Sequence, residues 1–391
     1  MRWLSAGIAY VNFAVVTAVL LGMAGGGLNR AIAAVSLLFG LTGAIAAFCW
    51  TTDDKESEKA PPPAEESKVS LRKLKRAERE RGVAPGGRPP FTQRYGRVWL
   101  WVVVAVFAMF ALRSFCWILF IDGNELKIQS PNNLGDLGLH LTYIKTFANG
   151  TAIWPDNPIF LLGKLRYPAG TDILNALLTC VGLNQIRGLV WVGLVGAAAT
   201  CYAFYRWAGS FGIAAFLFNG GVTGFQVLQR GQFLDYQGEK IAWKSLPLSM
   251  FLTQRGLLYA IPAGLLLLYH WRSKLFPLAA VAGQESSDSA AASGRGYSVL
   301  PLWLEVAIYA AMPLFHVHTF LCLSIVLACL FLFGSRATRL HTGTVVLLSL
   351  IPATFFMWTV GDHFHAASIL PAISGCFEMT LFCSVRSASM S

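Results

Sequence analysis

Charge is what this sequence has least of. Only 13 % of its 391 residues are charged, while 55 % are hydrophobic. A water-soluble globular domain carries roughly twice that share of charge. Metal-binding and disulfide patterns are missing too. The eight cysteines are scattered, mostly inside apolar runs, without a CxxC or a Cys/His ligand spacing. They read as small core residues, not as a zinc site or a disulfide framework. There is no P-loop, no GxSxG and no HExxH, so the common soluble phosphate-binding, hydrolase and metalloprotease signatures are excluded. Glycine clusters such as Gly25–Gly27 and Gly220-Gly221 read as turns or helix-packing points, not phosphate cradles.

Long apolar runs are what the chain has instead. Several run for about 16–24 residues, the length needed to cross hydrocarbon as a helix. The expected fold is therefore all-α: a polytopic transmembrane helical bundle of about nine spans, with a juxtamembrane helix in an outer loop. The predicted spans are Trp3–Ala24, Arg30–Trp50, Trp99–Ile121, Gly188–Tyr205, Ser210–Leu228, Gly256–Trp271, Val299–Phe315, Thr319–Phe333 and Thr342–Val360. Asp172–Gly182 is apolar but too short to cross, and reads as a half-helix at or dipping into the membrane. Met1-Arg2 before an apolar run resembles a signal peptide. The run continues to Leu21 and a second span follows at once, which favours a retained hairpin.

The net charge of +11 is not a nucleic-acid signal. Between Thr51 and Arg97 stand 12 basic and 8 acidic residues, an excess of four beside spans on both sides. A basic juxtamembrane segment marks the cytoplasmic face and attracts anionic headgroups. Four regions follow: a hairpin (1–50), a cytoplasmic basic and Pro-rich linker (51–97), a transmembrane body (98–360) with an outer loop (122–187), and an irregular tail (361–391). Alternating sides from the linker places the short basic segments at Arg206, Arg272–Arg295 and Arg336–Arg339 inside. The same alternation, across the cytoplasmic membrane, puts the N-terminus on the cytoplasmic side, and the loops 122–187 and 229–255 and the C-terminus outside.

Several polar groups then share the outer side. Asp136 and His140 lie four residues apart, hence on one face of a helix, with Leu134, Leu137, Leu141 and Ile144 expected opposite. The competing reading is a solvated face of an interfacial helix. Asp136 is the candidate general base or metal-holding carboxylate, with Asp122 and Glu125 as alternatives and Asp156 and Asp172 later in the same loop. Arg255, in Thr253-Gln254-Arg255-Gly256 just ahead of a span, would sit at a helix N-terminus, a good place for an anion. It also fits a snorkelling helix anchor. Asp235, Glu239 and Lys240 lie in the same outer loop. His316 and His318 interrupt an apolar stretch, where ionisable groups are costly unless they face a cavity or a partner.

These segments form a familiar order: a long first body span, GDLGLHLTYIKTFANG (Gly135–Gly150) with an NP and a YPAG after it, TQRG before LYAIPAGLLLL, then PLFHVHTF. The order resembles the GT-C superfamily of integral-membrane glycosyltransferases, most closely the bacterial type that takes sugar from a polyprenyl-phosphate donor. The resemblance covers roughly residues 98–360. It implies transfer to a glycan, lipid or protein acceptor on the outer face of the membrane. Asp136 would be the catalytic base or the partner of a divalent ion, Mg2+ or Mn2+, with His140 orienting it. Arg255, His316, His318 and Glu239 would hold the donor. Such first loops often carry paired acids, whereas Asp136 stands alone. The tail after Val360 reads as a truncated or frameshifted frame. That keeps open a non-catalytic scaffold or inactive homologue, and a transporter or flippase of a lipid-linked substrate is the other alternative.

Overall fold

The computed structural model describes residues 1–51, 91–129, 134–159, 163–219, 246–275 and 300–364. The linker from 52 to 90, Asp235, Glu239, Lys240 and the tail from 365 onward lie outside the described residues. The described chain is mostly helical. A hairpin of α1 (Arg2–Ala24) and α2 (Arg30–Trp50) is followed by α3 (Phe91–Cys116), a two-stranded hairpin (β1, Phe120–Asp122; β2, Glu125–Lys127) and α4 (Leu134–Ala148). Then come α5 (Gly170–Cys180), α6 (Gln185–Leu217), a π-helical turn (Leu246–Phe251) and α7 (Leu257–Leu275). The last three helices are α8 (Leu302–Phe315), α9 (Val317–Phe333) and α10 (Arg336–Val360).

Among the described residues, five helices are long and apolar enough to cross a membrane: α1, α2, Gly96–Cys116 within α3, α6 and α10. Their outward faces are apolar as well. Phe211 on α6 is 75 % and Ile351 on α10 81 % exposed, which water would penalise and lipid does not. The molecule is a membrane protein.

The span list is corrected in two places. The first body span ends at Cys116, because Phe120–Lys127 turns back as a β-hairpin through Gly123. The predicted runs at 188–205 and 210–228 fall on either side of a break in α6 at Ala208-Gly209, the second being described only as far as residue 219; at the break Gly209 takes φ +62°. That left-handed conformation is one glycine adopts freely. The run 299–333 forms helices of 14 and 17 residues that meet at His316, each shorter than the roughly 20 residues a straight crossing needs.

The short helix α5 is a buried element of the protein: residues 170–177 are all buried. It packs on α4, α6, α1 and α2. The hairpin is joined to the body from α1. Asn12, 1 % exposed, donates to Tyr259 Oη on α7 at 2.8 Å and to the Ala307 carbonyl on α8 at 3.3 Å. A buried amide with two partners repays its desolvation only in that one position.

Candidate functional site

Helix α4 is amphipathic, but its buried stripe differs from the expected one. Leu137, His140, Ile144 and Phe147 are buried while Asp136 is exposed. His140 thus joins the apolar side that was expected to lie opposite it. It can do so because both ring nitrogens find partners. Nδ1 lies 2.9 Å from Oδ2 and 3.0 Å from Oδ1 of Asp172, and Nε2 is 3.2 Å from the Thr253 carbonyl. A carbonyl only accepts, so Nε2 carries a proton and donates. Both ring nitrogens are thus engaged inside the protein. Asp172 is itself 1 % exposed, so this pair fixes α4 to α5 and to the segment ahead of α7.

Two residues along that segment is Arg255, fully buried. Its Nη2 donates to the Leu189 carbonyl of α6 at 3.0 Å, while Nε and Nη1 have no partner. Burial lowers its pKa to about 10, and the negative charge of Asp172 works the other way. The guanidinium therefore remains charged at neutral pH, with half its donor fork unused. Nearby, Thr171 Oγ1 and Asn175 Oδ1 on α5 are also buried without a partner. The phenols of Tyr143 and Tyr167 are pushed up, Tyr143 to about 12, by burial and then by the charge of Asp172.

Close backbone approach holds these pieces together. A Cβ at Gly256 would collide with the carbonyl oxygen of Phe315, and one at Gly170 would meet the Phe315 ring at 2.7 Å and the Leu314 carbonyl at 2.9 Å. The starts of α5 and α7 thus press on the end of α8, where the chain breaks at His316. His316 Nδ1 accepts from Thr319 N–H at 3.2 Å and caps α9, while Nε2 faces Gln254 Oε1 at 3.2 Å. Part of this histidine's presence is accounted for by capping. His318 is exposed, its ring 5.4 Å from that of His316.

The structure therefore brings together His140, Arg255 and His316 of the sequence-predicted residues, and adds Asp172 as the hub. It leaves Asp136 on the outer side of α4 and His318 at the periphery. Asp122 and Glu125 are exposed and paired with Lys127, and Asp156 is paired with Lys164. These acids are solvated surface groups. Among the described residues, the one group of three His, Cys, Asp or Glu side chains close enough to hold an ion is His270, Glu305 and His341. Asp136 is not in it.

An apolar groove of about 670 Å3 runs between α1, α5, α6 and α7, with Trp3, Tyr10, Trp191, Tyr202 and Leu258 in its walls. Thr171 and Tyr259 also belong to its lining. The groove shares its elements with the polar cluster. Thr171 adjoins Asp172, and Leu258 lies one turn beyond Arg255. Compared with known protein families, curated proteins and solved structures, the chain shows no match.

Proposed function

We propose that this membrane protein is a glycosyltransferase of the GT-C kind, which moves a sugar from a polyprenyl-phosphate donor to an acceptor at the outer face of the cytoplasmic membrane. One observation carries the proposal: Arg255 is a buried cation with two unused guanidinium nitrogens, on elements that also wall an apolar groove. A buried, under-bonded charge is costly unless something completes it. A ligand that is both anionic and long-chained fits an unfilled guanidinium fork beside an apolar trough.

The roles follow from accessibility. In this reading Arg255 binds the donor phosphate, whose charge grows as the sugar leaves. Asp172 cannot reach an acceptor, since both its oxygens face His140 in the interior. Asp136, exposed on α4 one turn before His140, is proposed to take the acceptor hydroxyl's proton. His140, being buried, positions α4 and does not touch substrate. His316 sets the α8–α9 break beside Gln254 and so the approach to Arg255.

The test is sugar transfer from a labelled polyprenyl-phosphate pool in membranes. Arg255→Gln and Asp136→Asn should each lose transfer at normal expression. Equal transfer by wild type and both variants would remove these residues from the mechanism. No transfer by wild type would favour a non-catalytic scaffold.

A further inference from the structure

One end of the bundle collects cations. The Met1 amine lies 3.4 Å from Tyr202 Oη, and Arg2 Nε donates to the Thr51 carbonyl at 2.9 Å. The Trp50 ring meets Trp303, in the first turn of α8, at 6.0 Å. Glu305 in the same turn accepts from Trp271 Nε1 at 2.7 Å and stands 2.9 Å from His341 Nε2 on α10. These contacts bring the start of α1, the end of α2, residues 202–206 of α6, the end of α7 and the starts of α8 and α10 to one level. Arg2, Arg206, Arg272, Lys274, Arg336 and Arg339 all belong to it. Its one acid among the described residues, Glu305, is fully buried. The other described acids stand elsewhere. Asp362 follows the far end of α10, Asp136, Asp156 and Asp172 belong to the stretch from α4 to α5 that meets the start of α7, and Asp122 and Glu125 follow α3.

The level matches headgroup depth. From Gln185 to Arg206 a helix climbs about 32 Å at 1.5 Å per residue, close to the roughly 30 Å of bilayer hydrocarbon. Just beyond, α6 breaks at Ala208-Gly209. Trp50, Trp207, Tyr269 and Trp303 gather at the same level, and Trp and Tyr are the side chains that settle at the membrane–water boundary.

Two of the cations are built into a seam between α6 and α7. Arg206 lies over the Tyr269 ring, Cζ 5.7 Å from its centre, and donates to Tyr269 Oη at 3.3 Å. Arg272, exposed, lies over the Trp207 ring at 5.3 Å. Arg206 and Trp207 are consecutive on α6, and Tyr269 and Arg272 are three residues apart on one face of α7. The two guanidinium groups therefore flank one seam. An aromatic ring holds a guanidinium by its flat face and leaves the N–H edge to oxygen acceptors. Arg272 has no ion pair among the described residues, so its edge is open to a phosphate.

We infer that this seam binds the headgroup of an anionic phospholipid. Arg272 and Arg206 take the phosphate, Trp207 and Tyr269 hold the guanidinium groups at that depth, and the surrounding cations supply the field. Tyr202, Tyr205 and Phe211 of α6 are exposed beside the seam and give the acyl chains a surface to lie on. Anionic lipid marks the cytoplasmic leaflet, the side on which these arginines are expected. The seam is separate from the donor site proposed above, since Arg272 lies roughly 25 Å from Arg255 along α7 at 1.5 Å per residue.

Native mass spectrometry of the full chain in a neutral detergent tests this, by titration with dioleoyl phosphatidylglycerol or dioleoyl phosphatidylcholine. The first phosphatidylglycerol should bind at least about tenfold tighter than phosphatidylcholine. One cation near a lipid headgroup contributes about fivefold in affinity. Arg206→Gln with Arg272→Gln should therefore weaken phosphatidylglycerol about 25-fold and remove the preference. Arg272→Gln alone changes an exposed side chain, folds as wild type does, and should cost about fivefold. Lys145→Gln with Arg187→Gln removes two exposed cations at the opposite end and should change nothing, and Arg255→Gln should keep the preference. Equal binding of the two lipids, or an unchanged preference in Arg272→Gln, overturns the inference. So does displacement of the lipid by millimolar glycerol 3-phosphate, which would make the seam a site for soluble phosphate. Loss of the preference in Arg255→Gln but not in Arg272→Gln also overturns it, by placing the lipid in the donor site.

Discussion

Replacing Arg255 by methionine should make the empty protein more stable, and the reason lies in an unfinished set of bonds. Methionine fills a similar length without polar atoms. What is lost is one hydrogen bond to the Leu189 carbonyl, inside α6, where helix bonding already serves such carbonyls, and some attraction to Asp172. What is relieved is the burial of Nε and Nη1 without partners. A buried unsatisfied group costs about 1–3 kcal/mol, more when charged, against roughly 1 kcal/mol for the surrendered bond. The expected balance is a gain of about 1–3 kcal/mol, seen as a higher midpoint of thermal unfolding in detergent. The second half of the prediction is the response to ligand. Polyprenyl phosphate at a hundredfold its Kd should stabilise wild type by about 2.7 kcal/mol and leave Arg255→Met unmoved. Destabilisation of the empty variant by more than about 1 kcal/mol would show that the guanidinium is already satisfied in the fold. The anion-site argument would then fail.

The other predictions concern how the site is held. Asp172→Asn should cost about 3–5 kcal/mol, because it leaves the buried His140 without its charged partner; thermal unfolding reads this, and a change under 1 kcal/mol would deny Asp172 its place as hub. Gly256→Ala should prevent stable accumulation in membranes, since the added carbon collides with the Phe315 carbonyl, whereas Gly138→Ala, which meets nothing, should be harmless. Asn12→Leu should cost about 1–3 kcal/mol, by stranding the Tyr259 hydroxyl, and should speed proteolytic release of the 1–50 hairpin; unchanged release would mean that other α1 contacts alone hold it.

Much of the architecture was legible in residue order. Apolar length announced the crossing helices α1, α2, α3 and α10, because a helix in lipid must satisfy its own backbone and show lipid an apolar face. The Gly25–Gly27 turn and the shortness of α5 were visible for the same kind of reason: they are local. The π-helical turn and the β-hairpin at 120–127 were not, since they depend on tertiary packing of short segments. Glu305, His270 and His341 are each visible in the sequence as ionisable groups within apolar runs, but only the fold brings the three together.

The polar cluster shows where sequence reasoning stops. Composition and run length alone determined that this is a helical membrane protein, and helix-end position alone made Arg255 a candidate. Only the tertiary structure decided that His140 turns inward and Asp136 outward. Which face of α4 is buried depends on whether an acid from another helix waits there, and Asp172 lies 32 residues away in sequence. Four-residue spacing defines a shared face, but not what that face meets. Burial of a charged or polar group is settled by partners brought together from distant segments, and those partners exist only once the chain has folded.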